Sequence, residues 1–89
     1  MAIRNNTALG RYELEVDGET ASLYYGLTPG VITLRHTEVP PALGGRGVGS
    51  TLVREVLDDV RARGLKVVAT CPFVVAFMGK HPEFNDLLK

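Results

Sequence analysis

The sequence predicts one mixed α/β domain, an α+β arrangement in which an antiparallel meander of strands is closed by a parallel strand after a crossover helix. Three observations predict it. Period-two alternation runs through the first half of the chain, two glycine-containing turns cut that half into strands, and after Gly47 the apolar period lengthens to that of a helix. The 89 residues allow one core, so residues 1–89 are expected to form a single domain.

Met1 to Gly10 carries no clear periodicity and is expected to fray. From Arg11 to Val16, Tyr12, Leu14 and Val16 alternate with Arg11, Glu13 and Glu15, the pattern of a half-buried strand. Asp17-Gly18-Glu19 supplies the positive φ of a tight hairpin. Thr20 to Leu27 then returns as a strand with Ala21, Leu23 and Tyr25 on one face. Thr28-Pro29-Gly30 makes the second turn. Val31 to Val39 is a third, β-branched strand, and plain alternation puts Ile32, Leu34 and His36 on one face and Thr33, Arg35 and Thr37 on the other. Pro40-Pro41 ends it, because neither residue can donate to a ladder.

The pattern then changes. Val48, Leu52, Val56 and Val60 recur every four residues, widened by Val53 and Leu57, while Arg54, Asp58 and Arg61 face water. This predicts a helix from Gly47 to Arg63, stopped by Gly64 after two basic residues. Leu65 to Cys71 reads as a buried strand. A strand, helix, strand succession implies a right-handed crossover with the last strand parallel to the third. Phe73 to Gly79 is a second short helix after Pro72, and His81-Pro82-Glu83 starts a terminal turn or helix through Leu88.

Composition narrows the function classes. Apolar residues make up 45% and charged residues 22%, which is ordinary for a globular chain, and ten acidic residues balance ten basic ones. A basic stripe for nucleic acid or a polybasic membrane anchor is absent from such a pattern, so neither partner is expected. The opening residues lack an apolar signal core and the longest apolar run, Phe73 to Met78, is too short to cross a bilayer, which reads as cytoplasmic. Cys71 is the single cysteine, so no intramolecular disulfide is expected. No His, Cys and carboxylate spacing suggests a metal. A core this small is marginal, so ligand binding or self-association would add to stability, and the oligomeric state stays open.

The most informative segment is Gly44-Gly45-Arg46-Gly47-Val48-Gly49-Ser50, which places four glycines in six residues between a strand and the first turn of a helix. The first amides of a helix lack partners and carry partial positive charge. Glycines remove the Cβ atoms that hold a bulky anion away, so these amides can converge on phosphate oxygens, and Arg46 offers a charge-assisted contact. A Walker A loop would need a lysine after the last glycine, where Val48-Gly49-Ser50-Thr51 has none. In the dinucleotide fingerprint the third glycine would fall on Ser50 or Leu52. A phosphate ligand of another kind is therefore expected.

At these residues the chain resembles the GNAT superfamily of acetyltransferases, whose pyrophosphate loop reads Gln/Arg-x-x-Gly-x-Gly/Ala. Gly47 and Gly49 match its two small positions, whereas Gly44 replaces the leading Gln or Arg. The stretches Val31 to Pro40, Gly45 to Gly49, Cys71 to Val74 and His81 to Phe84 are similar to a compact, single-domain branch of that superfamily, from Arg11 onward. The resemblance implies a GNAT-like mixed sheet with acetyl-CoA wedged between the splayed third and fourth strands. It implies coenzyme A contacts from Val39, Gly44, Gly45, Arg46, Gly47, Val48, Gly49 and Ser50, with the Val39 amide near the thioester carbonyl. It implies acetyl transfer to an acceptor amine on a small molecule or protein, and the competing reading is a non-catalytic acyl-CoA-binding or sensing module. The elements that frame the acceptor in larger members are missing.

Two side chains are candidates for the chemistry. Cys71 ends the strand after the helix, which in this topology lies near the thioester, and reads either as an acyl-accepting nucleophile or as a small buried side chain. His36 reads either as a general base or as a core histidine. Glu38 is an alternative base, and Thr37 a hydroxyl near the thioester carbonyl. Phe73 and Phe77 are read as core, with one of them a candidate lining of the pantetheine channel.

Overall fold

The computed structural model describes residues 3–89. Five strands lie in chain order in one sheet: β1 (Arg4–Asn6), β2 (Arg11–Val16), β3 (Glu19–Thr28), β4 (Val31–Glu38) and β5 (Lys66–Ala69). Every neighbouring pair is antiparallel except β4 and β5, which run parallel, as the strand, helix, strand succession predicts. The helix α1 (Val48–Ala62) makes that crossover, and α2 (Pro72–Lys80) follows β5. Short 3₁₀ segments at Pro41–Leu43 and Pro82–Leu87 complete the chain, and Leu88 bridges to Val67 in parallel.

The apolar stripe of α1 decides the packing. Leu52, Val53, Val56, Leu57 and Val60 are all fully buried against Leu14, Leu23, Ile32 and Leu34 of the sheet. Each such side chain contributes about 1.5–3 kcal/mol of transfer free energy. The helix stops where the sequence says it should: Gly64 takes φ +68°, and the Leu65 amide bonds back to the Val60 carbonyl at 3.1 Å. Arg54 then extends its guanidinium over the rings of Phe77 and Phe84, 5.6 and 5.5 Å from their centroids, tying α2 and the last turn to α1.

Tyr12 joins the sheet to the far end of α1. Its hydroxyl donates to Asp59 Oδ2 at 2.6 Å and accepts from Arg63 Nη1 at 2.8 Å, inside a site where the residue is 1% exposed. Burial, then the Asp59 carboxylate, push the phenol up to about 12, so it stays a donor at any physiological pH.

The opening segment departs from expectation. Met1 and Ala2 lie outside the described residues, but Arg4–Asn6 does not fray: it pairs with β2 in the register Arg4↔Glu13, Asn5↔Tyr12, Asn6↔Arg11. No apolar alternation signals this strand because its pins are polar. Glu13, only 4% exposed, accepts from Arg4, from Arg11 at 2.6 Å and from Asn6 at 3.1 Å, while Asn5 Oδ1 accepts from the Tyr25 hydroxyl at 2.6 Å. Those donors hold the Glu13 carboxyl at about 2, with Arg4 the largest cause.

The second departure lies in β4. Tyr25 pairs with Leu34 and Tyr24 with His36, so Arg35 is an extra residue, a β-bulge. Its guanidinium lies across Gly26, where a Cβ would stand 2.2 Å from Nη2. A bulge reverses the alternation beyond it. His36 therefore turns to the outer face beside Tyr24, not to the face of Ile32 and Leu34, and Thr37 turns inward opposite Leu23.

Two stability measurements follow. Because the folded Glu13 carboxyl sits far below its ordinary 4.5, its contribution is present above that value and is lost as pH falls toward about 2. Melting temperatures of wild type and Glu13→Gln should differ at neutral pH and converge across that window; a gap that persists at pH 2 would remove Glu13 as the anchor. Tyr12→Phe should lower stability in urea by about 1–2 kcal/mol, since it unpairs groups at a buried site while keeping the ring.

Candidate functional site

The site begins where β4 and β5 part. Their ladder ends at Leu34↔Ala69, and the Leu34 carbonyl accepts both the Thr70 amide at 3.0 Å and the Cys71 amide at 3.1 Å. From there β4 runs on to Glu38, whereas the other wall turns away into α2, whose first residue is Pro72. Arg35 to Val39 thus have no strand beside them on the β5 side. A wedge opens between the two chains.

The glycine loop sits at the mouth of this wedge. Gly45 and Gly47 take φ +76° and +72°, and Gly47 is the N-cap of α1 in the left-handed region. No side chain caps the helix and no carboxylate lies in its first turn. The first amide bonded within the helix is Thr51 to the Gly47 carbonyl at 3.0 Å, so the preceding amides are free for an outside acceptor. At Gly49 the constraint is space: a Cβ there would stand 2.9 Å from Phe73 Cζ and 3.4 Å from Val39 Cγ2. The resulting cavity, about 260 Å³, is lined by Val39, Leu43, Gly44, Gly45, Gly47, Val48, Gly49, Ser50 and Phe73. It combines a row of uncapped amides with an apolar wall, a chemistry that fits a diphosphate carrying an apolar arm.

Seven of the eight residues expected to contact the cofactor line this cavity. Arg46 is the exception, because it turns back to pair with Asp17 Oδ2 at 2.8 Å, in the turn between β2 and β3. Both partners are exposed, so the pair is weak and binds Arg46 only loosely. One lining residue goes beyond the sequence reading, Leu43, which arrives through the 3₁₀ turn after Pro40-Pro41. Of the two phenylalanines read as core with one a candidate channel lining, Phe73, 42% exposed, is a wall of the cavity. Phe77, four residues on, is buried.

Cys71 and His36 are not brought together. Cys71 is 3% exposed, caps the position before α2, and its Sγ lies 3.4 Å from Thr37 Oγ1. Burial pushes the thiol up, but the Thr37 hydroxyl and the amides of Val74, Phe73 and Thr37 together pull it below its ordinary value. Neither Cys71 nor Thr37 belongs to the cavity lining. His36 faces the opposite way, 61% exposed, stacked 6.0 Å from Tyr24 and 3.3 Å from Glu38 Oε2. Tyr24 also donates to Glu38 Oε1 at 3.3 Å and accepts from Arg11 at 2.8 Å. The bulge at Arg35 separates the two candidates, and its one sequence signal is Gly26, an isolated glycine inside a strand.

Comparison with known proteins agrees with this geometry. Residues 11–87 match the model of the GCN5-related N-acetyltransferase family. The bovine and human forms of Protein NATD1 are each 35% identical over 60 residues, 67% of this chain and 53% of theirs. The chain thus spans about half the length of the curated relatives it matches. The solution structure of a GCN5-like protein from Staphylococcus aureus superposes with a TM-score of 0.75 at 26% identity, covering 99% of this chain and 87% of the other. With its uncapped glycine loop at the parting of β4 and β5, the chain belongs to the GCN5-related N-acetyltransferase family.

Proposed function

We propose that the chain binds acetyl-CoA in the glycine cavity and transfers its acetyl group to an amine. The observation that carries this reading is the cavity itself: free helix amides at one end and Val39, Leu43 and Phe73 at the other, at the mouth of the wedge. When bound, acetyl-CoA supplies a thioester whose acetyl carbonyl carbon is the electrophile. The amides of the first turn of α1 hold the diphosphate, and the apolar wall keeps water from the pantetheine arm. Along β4 beyond Leu34 the backbone is free of a ladder partner on that side, so an amide near Val39 is available to a carbonyl oxygen.

Transfer is direct in this reading. The acceptor nitrogen would bond to the acetyl carbon as the carbon–sulfur bond breaks, coenzyme A would leave as the thiolate and be protonated, and the amine's proton would pass to His36 or Glu38, on the unpaired stretch of β4. Cys71 is buried and out of contact with His36, so it acts as a positioning residue that holds Thr37 and the wedge in place. The second reading, a module that binds acyl-CoA without turning it over, is favoured by the exposure of His36 and Glu38, neither of which lines the glycine cavity.

Calorimetric titration of acetyl-CoA tests the donor site. Gly47→Glu puts a side chain at φ +72° and a carboxylate on the anion cradle, and should abolish binding. Gly49→Ala drives a methyl to 2.9 Å from Phe73 and should weaken binding several-fold while the domain stays folded. Wild-type binding unaffected by either change would move the cofactor elsewhere.

Chemistry is tested with a panel of amines and intact-mass spectrometry. Cys71→Ala should keep turnover within about tenfold of wild type, with no acetyl-enzyme trapped on the native chain. His36→Ala combined with Glu38→Gln should lower kcat by about a hundredfold or more, the scale of a lost general base. Binding without turnover toward every amine would favour the sensing module. An acetylated Cys71 would replace direct transfer by a two-step route.

A further inference from the structure

We infer that Lys80, with His81 and Ser50, forms a second anion subsite that receives the 3′-phosphate of coenzyme A and makes the protein prefer CoA to dephospho-CoA. This inference rests on the acyl-CoA reading of the glycine cavity. A second cavity of about 110 Å³ adjoins the first, sharing Ser50 and Phe73 with it, and is completed by Ala76, Phe77, Lys80 and His81 of α2 and its end. No cationic side chain lines the first cavity, whose expected cation, Arg46, is turned toward Asp17. The 3′-phosphate is a monoester that carries more charge per phosphorus than the diphosphate, so it calls for a side-chain cation.

The nearby cations are otherwise engaged. Arg54 is tied to His81 and Glu83, and Arg61 to Asp86. Lys80 makes no ion pair or side-chain hydrogen bond among the described residues, and it lines the second cavity. It projects from the last turn of α2, where the helix dipole favours a cation and leaves its charge unspent. His81 adds an oriented donor. Its ring stacks on Phe77 with centroids 4.1 Å apart, and Nδ1 lies 3.1 Å from Arg54 Nη2 and 3.4 Å from Glu83 Oε2. These contacts engage Nδ1 and leave Nε2 without a hydrogen-bond partner among the described residues. The exposed hydroxyl of Ser50 stands on the first turn of α1, at the junction of the two cavities. No carboxylate belongs to the second cavity's lining.

The test compares CoA with dephospho-CoA by calorimetric titration at low ionic strength, because the two ligands differ only in the 3′-phosphate. Wild type should bind CoA about tenfold more tightly, the scale of one charge-assisted contact at a partly exposed site. Lys80→Gln should bring CoA down to the affinity of dephospho-CoA and leave dephospho-CoA binding unchanged, while Arg46→Gln should preserve the difference. Equal binding of the two ligands by wild type overturns the subsite and leaves the acyl-CoA reading standing. So does a preference that survives Lys80→Gln or disappears in Arg46→Gln. Failure of wild type to bind either ligand overturns the subsite together with the reading beneath it.

Discussion

Everything at this site depends on one carbonyl group. The Leu34 oxygen receives the amides of both Thr70 and Cys71, the two residues that follow β5, so the chain spends both donors on a single acceptor and does not continue the ladder along β4. Pro72, next in the chain, has no amide with which to resume the ladder. The two strands diverge from that point: the next pair, Arg35 with Thr70, does not form, and α2 begins at Pro72. In most sheets an interrupted ladder leaves polar groups that must be satisfied elsewhere. Here the interruption creates a cleft whose walls are the unpartnered length of β4 and the start of α2, and the glycine loop enters at its mouth.

The bulge at Arg35 gives the β4 side of that cleft two chemically different faces. With regular alternation, His36 would have faced Cys71 inside the domain and Thr37 would have faced solvent. One inserted residue exchanges them. The inside receives a small hydroxyl that hydrogen-bonds the thiol without adding a charge to the core, while the polar side chains of His36, Glu38 and Tyr24 gather outside. Gly26 leaves room for the bulge, because the Arg35 guanidinium lies across the space a Cβ there would occupy.

Most of the architecture is legible in the sequence because it rests on periodicity. The alternation of Tyr12, Leu14 and Val16, the four-residue recurrence of Val48, Leu52, Val56 and Val60, and Gly64 after Arg63 each specify an element through burial or local geometry, and each element forms. The glycine loop is legible for the same reason: conformations at φ +76° and +72° are written in residue type. What escapes is structure set by tertiary pairing. β1 has no apolar pattern, since Arg4 and Asn6 are held by one buried carboxylate and Asn5 by a tyrosine hydroxyl. Arg46 looks like an anion ligand by position, yet Asp17 claims it from a turn some thirty residues away in the chain. The face of His36 is lost because period-two reasoning holds only while the register does.

An uncapped helix in a small domain links ligand to stability. α1 buries Val48, Leu52, Val53, Val56, Leu57 and Val60 in the core, yet its N-terminus has no side-chain cap and no acidic residue in its first turn. A capping residue there would typically stabilise the helix by about 0.5–2 kcal/mol. Any side chain that capped the amides would also occupy the place of an incoming phosphate, so the sequence keeps glycine at Gly47 and forgoes that stabilisation. An anion that binds these amides restores it, and by linkage the folded state gains in proportion to ligand concentration over its dissociation constant. The two ends of α1 are thus treated oppositely. The C-terminal end is closed by Gly64 and clamped through Tyr12, Asp59 and Arg63, so that the N-terminal end can be left open without loosening the helix against the sheet.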